Sequence, residues 1–347
     1  MAEKLLSVAL GFFDGVHLGH AAVISAALSR KEYAPAVFTF KSRSPLPKLE
    51  NTRSADANIT GRDVPRLLGG GTPSGVSGGI SPASRPVSTS GSAKRAATVP
   101  SQFAYGELAA VINTDGVKHK LLKSLGVKHI YSYDFLKIKH FTPEAFVSEV
   151  LVKTLNAKVV CCGYDFRFGE GGRANPDDLA GICGRLGVET IVAPPVKIDG
   201  VTVSSTFIRG LIAEGEITKA NRFLGYELYY EGRVVGGNMI GRTIGFPTIN
   251  QMMPRGCVLP KFGVYKSRVY IGDEVLDGIT NIGVKPTAGH YRNASAETHI
   301  IGFGGDLYGK KIKISLVGFI RGEKKFASFD ELKEQIKKDI EVINAKS

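Results

Sequence analysis

The segment GFFDGVHLGHAAVI, residues 11–24, lies where an apolar run, SVALGFF, gives way to a helical pattern. A strand, a glycine-bearing turn and a helix N-terminus together form an anion site, because free backbone N–H groups and the helix dipole point at the same place. Gly11, Gly15 and Gly19 let the backbone approach a phosphate closely. His17 and His20 add side-chain donors where negative charge accumulates during substitution at phosphorus. The segment therefore predicts a phosphate-binding turn after the first strand.

Helices and strands alternate around this turn and again after residue 105. Such alternation is typical of a parallel, doubly wound α/β sheet, a Rossmann-like fold. The predicted segments are, in order, GHAAVISAALSR and APAVFTF, GVKHKLLKSLGVKHIYSYDF, TPEAFVSEVLVKTLN with a Thr142 cap, AKVVCCGYDF, and PDDLAGICGRLGVETIVAPPV.

Residues 42–104 interrupt this pattern. Gly, Ser, Pro, Ala and Thr dominate the segment, so it cannot bury enough apolar surface to offset its ordering entropy. Between Lys41 and Ala104, nine Lys/Arg and three acidic residues give +6, almost half of the net charge of +13. We predict a disordered insertion at residues 42–104.

The pattern changes near Gly225. Short Val-, Ile- and Tyr-rich segments separated by Gly and Pro turns predict a small β-barrel, and SFDELKEQIKKDIEVINAK predicts a closing helix that packs on it. The predicted domains are residues 1–210, of the α/β type with the insertion, and 226–347, the barrel.

The length of 347 residues fits two domains. No apolar run approaches the roughly 18 to 20 residues that span a bilayer, and no cleavage site follows the N-terminal apolar run. The four cysteines show no C-x-x-C spacing and suggest reduced thiols. We therefore expect a cytoplasmic protein without a membrane partner; the sequence does not determine the oligomeric state.

A second anion site is expected in DGVTVSSTFIRGLI. Ser204, Ser205 and Thr206 can cap a helix whose first turn carries Arg209, and an arginine can grip a phosphate with two hydrogen bonds. Alone, this segment would be an ordinary capped helix start. Together with H-x-G-H it outlines the two phosphate-gripping elements of a nucleotidylyltransferase.

Four motifs, GFFDGVHLGH, GYDFRFGEGG, VSSTFIR and GRTIGFPTIN, occur in an order that resembles the bacterial bifunctional riboflavin kinase/FAD synthetase family. The resemblance covers nearly the whole chain except about residues 41–105. It implies that the N-terminal domain transfers AMP from ATP to FMN, giving FAD and pyrophosphate. The resemblance implies that the ATP site of this step comprises Gly11, Phe13, Gly15, His17, Gly19, His20, Ser205, Thr206 and Arg209, with His17, His20 and Arg209 catalytic.

The flavin of this step is expected at GYDFRFGEGG. Asp165, Phe166 and Phe168 follow a strand, where ligands bind open α/β sheets, and aromatic faces suit an isoalloxazine ring. One of the two phenylalanines could instead belong to the core.

The second expected site is a riboflavin kinase site in GRTIGFPTIN and SAETHIIGF. Glycines at positions 241 and 245 let the loop approach phosphates, and Thr248 and Asn250 share one face of the next strand. The resemblance implies an ATP site of Gly241, Arg242, Thr243, Thr248 and Asn250. Oxygens of Thr248 and Asn250 suit Mg²⁺, and Glu297 is the expected base, because an alcohol nucleophile must lose its proton.

The sequence leaves three alternatives open. The insertion could impair adenylylation and leave only the kinase, or the H-x-G-H site could act on another nucleotide or phosphate substrate. The +6 segment could also act as a nucleic-acid-binding arm, but it lacks interleaved aromatics and a dense basic run. We therefore expect small-molecule partners, riboflavin, FMN and ATP, and no nucleic acid.

Overall fold

A five-stranded parallel sheet forms the first part of the chain, with the strand order β3-β2-β1-β4-β5. This computed structural model describes residues 4–41, 110–237, 240–284 and 294–344. The predicted insertion at residues 42–104 lies outside these ranges. The strands are β1 (Leu6–Leu10), β2 (Ala34–Phe40), β3 (His129–Tyr133), β4 (Ala157–Gly163) and β5 (Glu189–Ala193).

Helices cover both faces of this sheet. They are α1 (Leu18–Leu28), α2 (Asp115–Ser124), the short α3 (Phe135–Ile138), α4 (Pro143–Ala145) and α5 (Pro176–Arg185). All five residues of β1 are buried, as expected of a central strand with helices on both sides. The predicted α/β fold is confirmed.

The helix predicted for TPEAFVSEVLVKTLN is present but is only partly α-helical. Thr142 caps it as expected, since its hydroxyl accepts from Ala145 N at 3.1 Å. After α4, however, the chain continues as a π-helix over Phe146–Thr154. There the backbone bonds reach five residues back, as from Leu155 N to Val150 O at 3.0 Å.

The topology of the sheet determines where its loops meet. Central β1 pairs with β2 on one side and with β4 on the other, so the connections run in opposite directions from this point. Ligands bind open α/β sheets at the carboxyl ends of the strands beside such a switch. The segments after β1 and after β4 are GFFDGVHLGH and YDFRFGEGG.

A short hairpin and two helices connect the sheet to the second part. The hairpin consists of β6 (Lys197–Ile198) and β7 (Val201–Thr202), followed by α6 (Ser205–Glu214) and α7 (Ile217–Leu224). Both helices share a hydrophobic core with the strands that follow. Ile208 and Phe223 belong to the same buried cluster as Tyr265 and Leu316.

The second part is a six-stranded antiparallel sheet with the order β8-β13-β10-β11-β12-β9. A bridge between Val235 and Asn250 joins its two edges, so the sheet is nearly a closed barrel. Its elements are β8 (Tyr229–Arg233), the short α8 (Ile240–Thr243), β9 (Thr248–Met252), β10 (Gly263–Ile271), β11 (Glu274–Val284), β12 (Ala294–Ile300) and β13 (Lys311–Gly322).

The closing helix, α9 (Phe329–Asn344), packs on the barrel as predicted. Ile343 is fully buried in a cluster with Val264 and Ile279 of the barrel. The Ser328 hydroxyl accepts from Glu331 N at 3.2 Å, and the Glu331 carboxylate accepts from Ala327 N at 3.0 Å. This capping pair defines the start of the helix.

Candidate active sites

The turn after β1 is strained and buried. Phe13 and Val16 have positive φ values of 53° and 39°, a conformation that costs non-glycine residues roughly 1 kcal/mol or more. Both side chains are buried, at 0% and 4% exposure, so packing maintains this backbone. Gly15 also has a positive φ, and a Cβ there would lie 2.7 Å from the Ile112 side chain.

His17 and His20 form a stacked pair at the start of α1. Their ring centroids are 3.6 Å apart and the ring planes differ by 14°. His17 is the N-cap of α1, and its Nδ1 accepts from His20 N at 3.3 Å. The neutral ring of His17 therefore carries its proton on Nε2.

Two buried nitrogens of this pair are candidate phosphate contacts. Within the described ranges, His17 Nε2 and His20 Nδ1 have no hydrogen-bond partner. Buried polar atoms in folded proteins normally have one, so a ligand oxygen at the N-terminus of α1 would supply what the protein lacks.

Both imidazoles are neutral at physiological pH. Burial lowers the pKa of His17 to about 4, and the charge of Arg209 acts in the same direction. Burial, followed by the proximity of His17, lowers the pKa of His20 well below its ordinary value. The pair thus offers hydrogen bonds without carrying positive charge.

Asp14 joins the two predicted anion sites. Its Oδ2 accepts from Arg209 Nη1 at 2.6 Å, and its Oδ1 accepts from Ile112 N at 2.7 Å. Its backbone carbonyl accepts from the Ser205 hydroxyl at 2.8 Å. Burial raises the pKa of Asp14 despite the nearby Arg209 guanidinium. The turn before H-x-G-H and the start of α6 are therefore adjacent.

Arg209 is held on both sides. Besides the Asp14 contact, its Nη2 donates to the Thr206 hydroxyl at 3.1 Å. Ser204 rather than Ser205 caps α6, because its hydroxyl accepts from Phe207 N at 3.3 Å. A guanidinium has five N–H donors, so Arg209 retains donors for a phosphate.

Two phenylalanines that we predicted to contact ligands, Phe13 and Phe168, lie in the core. Phe13 is fully buried and packs beneath Gly11, so its side chain supports the turn from below. Phe168 is 6% exposed and belongs to a core cluster of the sheet. Because neither ring is accessible, we do not retain Phe13 or Phe168 as direct side-chain contacts of ATP or flavin.

Phe166 is the accessible ring of the pair after β4. It is half-buried and lies parallel to Phe168, with centroids 5.7 Å apart and planes at 13°. Asp165 beside it is exposed. Phe12 follows β1, the strand that pairs with β4. It is 40% exposed, and its ring centroid lies 4.9 Å from that of Phe40. The carboxyl edge of the sheet therefore presents aromatic surface.

The loop GRTIGFPTIN folds back on itself before β9. Phe246 N donates to Gly241 O at 2.7 Å, and Gly245 N donates to Arg242 O at 3.3 Å. His299 contacts the Pro247 carbonyl at 2.9 Å through Nδ1, and its ring meets Phe246 edge to face. His299 therefore holds this loop in place. Arg242 and Thr243 are exposed at its tip.

A row of facing residues crosses the barrel beside this loop. Asn250 is opposite Glu297, and Glu297 is opposite Asn281. Two residues along the same strands, Thr248 is opposite His299. Directly opposed residues of an antiparallel pair project from the same face. The predicted residues Thr248, Asn250 and Glu297 thus share one face of the barrel.

An open cavity lies over this face, between the loop and α9. Its lining includes Gly241 and Thr248 from the loop and strand, Asn281 and Glu297 from the barrel, and Ile336 from α9. Asn250 is 7% exposed beneath Gly237, whose Cβ would lie 2.3 Å from the Asn250 amide nitrogen.

Three carboxylates line the cavity, and their surroundings separate their roles. Asp339, on α9, is buried and accepts three hydrogen bonds from Arg321, between 2.8 and 3.1 Å, and one from Gln335. Glu323 lies on an exposed segment after β13, whereas Glu297 is half-buried in β12 beside Asn250. Glu297 is therefore the best placed to act as a base.

The donor set beside Glu297 fits Mg²⁺. It consists of a threonine hydroxyl, an amide and a carboxylate on adjacent strands, which are hard oxygen ligands. Within the described ranges, no group of three or more His, Cys, Asp or Glu could hold a metal ion.

Sequence reasoning missed several residues of these sites. Asp14 is part of the quoted GFFDG motif, but no local pattern shows that it contacts Arg209, 195 positions away. Arg321 and Asp339 also pair, across 18 positions and between different elements. Phe12 was visible as an aromatic residue directly after an apolar strand, and its position in the turn was the available signal.

Two family models match the chain. The model described as riboflavin kinase matches residues 224–346, and the one described as FAD synthetase matches residues 2–63 and 98–207.

Curated relatives match most of the chain. A bifunctional riboflavin kinase/FMN adenylyltransferase of Bacillus subtilis (strain 168) is 32% identical over 97% of this chain and 91% of its own length. A protein of the same description from Listeria monocytogenes is 31% identical over 96% of this chain and 89% of its own length. The one from Escherichia coli (strain K12) is 37% identical over 64% and 71%.

A solved structure has a similar fold. The crystal structure described as a macrolide-efflux protein from Streptococcus pneumoniae has a TM-score of 0.73 and 27% identity, covering 99% of this chain and 95% of its own. Among the helices in the described ranges, none has the length and apolar character needed to cross a membrane.

Proposed function

The chain belongs to the family of bifunctional riboflavin kinase/FMN adenylyltransferases, and we propose that its two activities are divided between the site around His17 and the site around Glu297. It phosphorylates riboflavin to FMN and transfers AMP from ATP to FMN, producing FAD and pyrophosphate. The observation that carries the division is that the Asp14–Arg209 pair joins the turn after β1 to the start of α6, and neither segment is part of the lining of the barrel cavity that contains Glu297.

In adenylylation, an oxygen of the FMN phosphate forms a bond to the α-phosphorus of ATP, and the bond to the leaving pyrophosphate breaks. The nucleophile is already an anion, so no general base is needed. The N-termini of α1 and α6, the His17 Nε2–H and Arg209 would stabilise the charge that develops, at about 10²- to 10³-fold per donor. Phe166 and Asp165 would lie on the flavin side.

In riboflavin phosphorylation, the 5′-hydroxyl attacks the γ-phosphorus of ATP and must lose its proton. Glu297 would accept that proton, an effect of about 10²- to 10⁴-fold. The loop of Gly241, Arg242 and Thr243 would contact the phosphates of ATP beside Thr248. Leu332 and Ile336 of α9 give the cavity an apolar wall that suits a flavin ring.

Both activities use ATP, and we propose Mg²⁺ as its companion ion. Thr248 and Asn250 would hold the ion in the kinase site. When bound, Mg²⁺ neutralises phosphate charge and orients the transferred group.

We place the adenylyltransferase within residues 1–210 and the kinase within residues 226–347. The separate family matches support this division. The four cysteines are free and buried, which supports our proposal of a reducing, cytoplasmic location.

The test follows both products in one sample. The purified chain is incubated with riboflavin, ATP and Mg²⁺, and riboflavin, FMN and FAD are separated over time by chromatography. We expect FMN to rise first and FAD to follow. Glu297→Gln is expected to abolish FMN formation but to convert supplied FMN to FAD, whereas His20→Gln is expected to show the reverse.

Glu323→Gln serves as the matched control, since it removes a second carboxylate from the same cavity. It should keep kinase activity within about threefold of the parent, a difference of under 1 kcal/mol in the barrier. If Glu323→Gln is inactive and Glu297→Gln is active, our base assignment is wrong. If FMN accumulates and no FAD forms, the adenylyltransferase site is inactive in this chain.

A further inference from the structure

The carbonyl of Gly15, in the turn just before the H-x-G-H motif, accepts a hydrogen bond from a side chain on the barrel side of the molecule. The Tyr226 hydroxyl donates to Gly15 O at 2.6 Å and also lies 2.9 Å from Asn113 Oδ1. Tyr226 follows α7 and lies within the region that matches the riboflavin kinase family. The contact therefore joins the kinase region to the turn that we assign to ATP in adenylylation.

A second connection reaches the same turn. Val111 pairs with the segment before β10, through Val111 N to Gly256 O and Val258 N to Val111 O, both at 2.8 Å. The next residue, Ile112, donates its N–H to Asp14 and packs against Gly15. Residues 111–113 thus connect the barrel to the turn through hydrogen bonds on both sides.

Packing beside Tyr226 is equally close. Gly225 follows the last residue of α7. A Cβ at this position would lie 2.6 Å from the side chain of Leu18, the first residue of α1. Burial raises the pKa of Tyr226, so its hydroxyl keeps its proton over the working pH range and remains a donor.

We infer that Tyr226 is a positioning residue of the adenylyltransferase, which holds the Gly15 carbonyl and thereby the phosphate-facing groups of the turn. The strained φ values at Phe13 and Val16 on either side of Gly15 give this hydrogen bond its importance, because a strained backbone persists only where its surroundings restrain it. The inference rests on our assignment of the His17 site to adenylylation. It makes the adenylyltransferase dependent on a residue beyond its own domain.

The test compares two hydroxyl deletions in the full chain. Tyr226→Phe removes the hydrogen bond and leaves the ring. The control is Tyr230→Phe, whose hydroxyl is also buried but has no hydrogen-bond partner in the described ranges. Both residues belong to or pack against the same core cluster, so general effects on packing are matched.

Steady-state rates are measured separately for FMN to FAD and for riboflavin to FMN, together with the melting temperature. For Tyr226→Phe we expect the kcat of adenylylation to fall about two- to tenfold, the usual effect of one hydrogen bond. We expect the KM for ATP to change less than kcat, because the donors act most strongly on charge in the transition state. The kinase rate of Tyr226→Phe and both rates of Tyr230→Phe should stay at the parent level.

Unchanged adenylylation in Tyr226→Phe would overturn the inference. A parallel fall of both activities with a lower melting temperature would also overturn it, since that result indicates a general structural role. His20→Gln, measured beside them, separates this inference from its premise. If His20→Gln adenylylates normally, the site assignment itself is wrong, whereas a defect in His20→Gln alone rejects only the role of Tyr226.

Discussion

Acid should destabilise the sheet domain through His17, and the substitution His17→Asn should remove this effect. The folded pKa of His17 is about 4 because burial disfavours the charged ring, whereas an unfolded histidine has a pKa of about 6.5. Between these values the unfolded chain binds more protons than the folded chain. The free energy of unfolding therefore falls as the pH is lowered from about 6.5 to about 4.

The size of the effect follows from these two pKa values. Linkage predicts a loss of about 2 kcal/mol from His17 between pH 7 and pH 5. Asparagine at this position is uncharged and remains an effective N-cap for α1. The stability difference between the parent and His17→Asn should thus shift by about 2 kcal/mol in favour of the variant over this pH range.

The assay is urea-dependent hydrogen exchange, read by mass spectrometry on the peptide that contains β1 and α1. It reports on the sheet domain, which need not unfold together with the barrel. Comparing both proteins at the same pH cancels the pH dependence of chemical exchange and of titrating groups that do not interact with His17. A parent-to-variant difference that changes by less than about 0.5 kcal/mol between pH 7 and pH 5 would show that His17 is not held neutral by burial.

Three further predictions concern the two sites. Asp14→Asn removes the ion pair that orients Arg209, so kcat/KM for ATP in adenylylation should fall about 10- to 100-fold while riboflavin phosphorylation is retained, measured on the same sample. Asp339→Asn weakens the attachment of α9 to Arg321 and should raise the KM for riboflavin and lower the melting temperature of the barrel; an unchanged KM would separate α9 from the flavin site. Phe166→Leu removes an accessible ring and should raise the KM for FMN about threefold or more, the loss of an aromatic contact of roughly 0.5–1.5 kcal/mol, and an unchanged KM would place the flavin elsewhere.

Much of the fold was predictable because its signals are local. Alternating apolar runs and capped helices identified the parallel sheet, and Thr142 and Ser328 cap their helices as predicted. The Gly15 turn with H-x-G-H was recognisable because strand, glycine and helix start are contiguous in the chain. The π-helix at Phe146–Thr154 was not predictable. An amphipathic pattern over nine residues does not distinguish π-helical from α-helical hydrogen bonding.

The sequence by itself thus determined the two domain types, the order of the motifs and the family, because each depends on residues close together in the chain. Only the tertiary structure decided which partners complete the sites. It placed Phe168 in the core and left Phe166 accessible, and it brought Asp14 to Arg209 and Tyr226 to Gly15 across about two hundred residues. Such contacts depend on how the sheet, the connecting helices and the barrel pack, and no local pattern in the chain encodes that packing.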